Sequence, residues 1–121
     1  MGMKSDLIEF TTERSVQDLG RRLQQAMQQV KAHSVEPVDS GSGALAVFDD
    51  HAEIEVVAQG KSLIGGYWVV QVYVIDHGHQ RQVCLVALGD GGFSRAWNGA
   101  RNTVSLSASI GRRDTIATAI R

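Results

Sequence analysis

Thr103-Val104-Ser105-Leu106-Ser107-Ala108-Ser109-Ile110 alternates without a break. In an extended chain Val104, Leu106, Ala108 and Ile110 share one face, and Thr103, Ser105, Ser107 and Ser109 share the other. The pattern predicts a half-buried strand with one apolar face and one lined by hydroxyls. Antiparallel sheets with a single covered face produce this alternation, and that sets the expected fold class.

Upstream, Tyr67 to Ile75 is the longest β-rich run. It carries Trp68, Val70, Val72 and Val74 on one side and Tyr67, Val69, Gln71, Tyr73 and Ile75 on the other. A strand so apolar on both faces is central, or lies under a second layer or a partner subunit. Asp76-His77-Gly78-His79 reverses the chain around Gly78, and Arg81 to Leu88 returns. Glu53 to Ala58 alternates, Ala44 to Phe48 is short and apolar, and Leu7 to Thr12 reads as a first strand. Ser34 to Val38 also alternates, and Pro37 confines it to a sheet edge. Gly60 to Gly66 reads as a loop, and Ser94 to Asn98 is ambiguous.

Only two segments read as helical. Ser15 supplies an N-cap hydroxyl for the backbone N–H of Asp18. Val16, Leu19, Leu23, Ala26, Met27 and Val30 then follow at helical spacing, forming a stripe roughly 100° wide. Gly20 borders that stripe, and its bare backbone suggests a close approach of helix to sheet. At the other end Gly111 closes the serine-faced strand, and Arg112 to Arg121 reads as a short helix burying Ile116, Ala119 and Ile120. The expected architecture is α+β in one domain spanning residues 1–121. One amphipathic N-terminal helix packs on one face of a five- to six-stranded, mainly antiparallel sheet, with a short C-terminal helix.

Bulk properties narrow the class. A chain of 121 residues buries roughly 65% of its unfolded surface and needs no covalent staples. The single cysteine, Cys84, cannot form an internal disulfide and suits a reducing compartment, so the expected location is cytoplasmic. No apolar run approaches the ~20 residues of a membrane span. The net charge is −1, but residues 1–75 hold six Lys/Arg against ten Asp/Glu, while residues 76–121 hold six Arg against three Asp. That split is too mild for a nucleic-acid stripe and favours contact between unlike patches of two copies.

No motif specifies an activity. Asp76, His77 and His79, together with Asp49, Asp50 and His51, have metal-ligand chemistry, but Asp, Gly and His are also ordinary turn residues. Gly89-Asp90-Gly91-Gly92 lacks the Lys-Ser/Thr pair of a phosphate loop, and no serine sits in a nucleophile elbow. The sequence implies no cofactor. Arg95, Arg101, Arg112 and Arg113 form a weaker anion-binding candidate.

Two functional expectations follow. The first is a non-catalytic binding or oligomerisation domain, expected as a homo-oligomer because one helix cannot cover both faces of Tyr67 to Ile75. The second is a small enzyme or ligand carrier with a pocket between helix and sheet. His77, His79, Tyr73, Trp97 and Arg95 would supply its polar and aromatic contacts to a small-molecule ligand.

Overall fold

In the computed structural model the described residues are 5–37, 53–62, 66–89 and 104–121. They form β1 (Ser5–Thr12), α1 (Val16–Gln29), β2 (Ser34–Pro37), β3 (Ile54–Lys61), β4 (Tyr67–Asp76), β5 (Arg81–Leu88) and α2 (Leu106–Ile120). The strands make one five-stranded sheet in the order β1-β5-β4-β3-β2, and every neighbouring pair is antiparallel. The α+β class, the antiparallel sheet, the N-terminal helix and the C-terminal helix are as the sequence predicts. Ala44 to Phe48 and Ser94 to Asn98 lie outside the described residues.

Hydrophobic patterning places both helices on one face. Leu19, Leu23, Ala26 and Met27 of α1 pack with Ile116, Ala117 and Ile120 of α2 over Val70, Val72, Val83 and Leu85 of the central strands. Each such Val or Leu side chain contributes about 1.5–3 kcal/mol when fully buried. The opposite face is buried too. Val69, Tyr73, Val86, Leu88 and Val104 form a second cluster there. Both sides of β4 are therefore buried within a single chain.

The ends of α1 follow from local chemistry. Ser15 Oγ accepts from the Asp18 N–H at 3.0 Å. At the far end the N–H of Ala32 donates to Met27 O and that of Lys31 to Gln28 O, both at 3.1 Å. This is a Schellman closure with Lys31, at φ 57°, where glycine is usual.

Three sequence expectations change. First, residues 104–110 do not form the expected strand, and Thr103 lies outside the described residues. Val104 makes one parallel bridge to Tyr67, and Ser105 then caps α2 by accepting from the Ala108 N–H at 3.3 Å. The period of the wider window wins: Ser109, Arg113, Ile116, Ala117 and Ile120 are the buried residues, at helical spacing. Gly111 is an exposed residue inside that helix. Second, Gly60 and Lys61 belong to β3. Gly60 faces Trp68 in register, and a Cβ there would lie 2.8 Å from the indole. The missing side chain makes room for the ring. Third, Gly20 is not in a tight contact, since its Cβ would find Ile54 Cδ1 at 3.9 Å.

Buried polar groups tie α2 to the sheet. Ser109 Oγ accepts from the Val69 N–H at 2.9 Å and donates to Ser105 O at 3.0 Å. Arg113, only 4% exposed, donates to Asp6 O and Oδ2 and to Asp114 Oδ1.

Candidate functional site

Of the five ligand-binding residues nominated from sequence, His77, His79 and Tyr73 are among the described residues. His77 and His79 are exposed on the β4–β5 hairpin. The turn is held by the His77 N–H donating to Gln80 O and the Gly78 N–H donating to Asp76 Oδ1, with Gly78 at φ 90°. His77 Nε2 lies 3.0 Å from Gln82 Oε1. The Gly78 N–H holds the Asp76 carboxyl below its usual range, and Arg81 reinforces this. Tyr73 is buried on the sheet face away from the helices, opposite Glu55 and Cys84. Trp97 and Arg95 lie outside the described residues, as do Asp49, Asp50, His51 and Arg101. Among the described residues no three His, Cys, Asp or Glu side chains are placed to hold a metal. Arg113 is committed to Asp6 and Asp114, which removes it from the anion-binding set.

Two further clusters are structural. Arg81 donates to Arg14 O, Glu13 O and Gly78 O, tying the hairpin to the turn before α1. Asp18 pairs with Arg14, Arg21 and Arg22, and the hydrogen bond from Arg22 is the main cause of its lowered pKa. Cys84 is buried, and burial together with the neighbouring Glu9 carboxylate pushes its thiol up to about 11. The thiolate is the reactive form, so this upward shift lowers the nucleophilicity of Cys84 at neutral pH.

A cleft does lie between helix and sheet, at the opposite edge from β1. It measures about 530 Å³. Leu23 and Met27 of α1 form one wall, and Ile54 and Val56 of β3 form the other. Val35 of β2, 45% exposed, and Ala32 border it. Gly20 sits at one end, and Gln24 and Gln28 stand on the outer rim one helical turn apart. β2, at this edge of the sheet among the described residues, is only four residues long.

Among the described residues, no side chain lining the cleft is ionisable, and the polar ones are the amides of Gln24 and Gln28. Sequence reading placed a pocket between helix and sheet but populated it with other residues. The apolar stripe of α1 identified Leu23 and Met27, yet nothing local indicated that they face Ile54 and Val56 across a gap. No family model, curated protein or solved structure matches this chain.

Proposed function

We propose that this protein is a non-catalytic binding domain whose ligand is a small apolar molecule held between α1 and the β2–β3 edge. One observation carries the reading: a cleft of about 530 Å³ with aliphatic walls and two neutral amides at its rim. Ligand pockets are typically apolar concavities of about 300–1,000 Å³ with a few orienting polar groups. Chemistry on a bound substrate would need a group that transfers a proton or attacks, and the described lining residues supply neither. The unpaired, buried Cys84 supports a reducing, cytoplasmic setting, and no helix among the described residues is long and apolar enough to cross a membrane.

The test uses a neutral fluorescent probe, N-phenyl-1-naphthylamine. Saturable one-site binding is expected, with at least a tenfold loss in Gly20→Leu, whose side chain would enter the end of the cleft while favouring the helix. Equal binding by the two proteins would refute the site.

A second reading, self-association, is supported by Leu7. This residue is 51% exposed on β1, whose outer edge has no partner strand among the described residues. Sedimentation should show a dimer that Leu7→Lys dissociates. A monomer at high concentration would end this reading.

A further inference from the structure

We infer that the cleft selects an uncharged amphiphile, an aliphatic chain ending in a hydroxyl or carboxamide, over the same chain ending in a carboxylate. This inference rests on the ligand-binding reading above. The cleft follows α1 from Gly20 to Gln28, eight residues or about 12 Å of helix rise, so it is an elongated trough. Leu23, Met27, Ile54 and Val56 line it with branched and thioether side chains, and no aromatic ring is among them. Those deformable walls suit a flexible chain, and Met27 can adjust to its contour as it can to the rings of a probe. The rim offers Gln24 and Gln28, each with two N–H donors and a carbonyl acceptor. A hydroxyl or carboxamide head can exchange both kinds of hydrogen bond with them.

A carboxylate head fares worse for two reasons. It would lose hydration against apolar walls with no cation among the described lining residues. Ala32 also places one end of the trough beside the C-terminus of α1, whose partial negative charge repels an anion. Arg21 is bound to Asp18 and is not part of the lining. Lys31, exposed just past the helix end, is the nearby cation to control for.

The experiment displaces N-phenyl-1-naphthylamine with 1-decanol, decanamide or decanoate at pH 8. Wild type is compared with Gln24→Leu/Gln28→Leu and with Lys31→Gln. The two neutral ligands should displace the probe at concentrations on the order of tenfold lower than decanoate. Lys31→Gln should keep that order, and the double glutamine variant should bind the probe but weaken decanamide preferentially. Decanoate matching the neutral ligands overturns the selectivity and leaves the cleft as a binding site. Probe binding that no decyl chain displaces overturns the aliphatic class. Failure of the probe to bind wild type removes the underlying reading itself.

Discussion

Gly111→Ala separates the two ways of reading the C-terminal third of the chain. Gly111 is the sixth residue of α2, it is exposed, and a Cβ added there would meet no atom within 4 Å. The substitution therefore changes little in the folded state beyond intrinsic helix propensity. Alanine is favoured over glycine by about 1 kcal/mol in a helix interior, mainly through lower backbone entropy in the unfolded chain. With an unfolding entropy near 2.1 cal/mol/K per residue over 121 residues, the gain corresponds to a Tm rise of about 4 °C. Thermal and urea unfolding followed by far-UV circular dichroism should show the higher Tm and a higher midpoint with an unchanged m value. If residues 103–110 were instead a strand ended by Gly111 in a left-handed turn, alanine would cost about 1 kcal/mol or more. A fall in Tm would refute the helix.

Four other outcomes are expected. Ser109→Ala leaves the buried Val69 N–H without its acceptor and should cost about 1–3 kcal/mol, whereas Ala at the exposed Ser107 should stay within about 0.5 kcal/mol, both read from urea midpoints. Gly60→Ala forces a Cβ against the Trp68 indole and should destabilise by about 1–3 kcal/mol, with a change in tryptophan fluorescence. Asp18, whose folded pKa is lowered chiefly by Arg22, contributes stability that is present above the unfolded value near 3.9 and is lost as pH falls through the folded value; acid titration of Asp18→Asn should show a shallower loss below about pH 4. Cys84, with its thiol pushed up to about 11, should resist a thiol-specific disulfide reagent at pH 8 in the folded protein and react fully in denaturant.

Where the fold was legible, pattern and burial agreed at each position. Tyr67–Asp76 and Arg81–Leu88 are β-rich runs apolar on both faces, are joined by a four-residue turn, and pair in register from Asp76↔Arg81 to Val69↔Leu88. The stripe of α1 was legible because its buried residues are large and apolar. The stripe of α2 was hidden because two of its buried positions are Ser109 and Arg113, which a hydrophobicity pattern reads as solvent-facing. What buries them is non-local: the Val69 backbone for one, Asp6 and Asp114 for the other. Eight residues of Thr or Ser alternating with Val, Leu, Ala and Ile are too short a window to decide between the two periods. Gly60 was misread for a related reason, since its reason for being in β3 is a ring on the neighbouring strand.

The candidate site was less legible than the fold because a cleft is a property of what two elements fail to fill. His77 and His79 attracted notice for their chemistry, but a hairpin turn is built from such residues and leaves them in solvent. Gly20 shows the opposite case. A glycine on the buried side of a helix suggests close packing, yet the 3.9 Å distance to Ile54 leaves room for a methyl group. The same space marks the end of the cleft, where alanine fits and a leucine side chain must project into the opening. If Gly20 serves helix packing, Gly20→Ala should reduce stability. If it sets the length of the cleft, Gly20→Ala should raise stability through helix propensity, and only larger side chains should close the site. Stability and probe binding then move independently at one residue, which a purely architectural glycine would not allow.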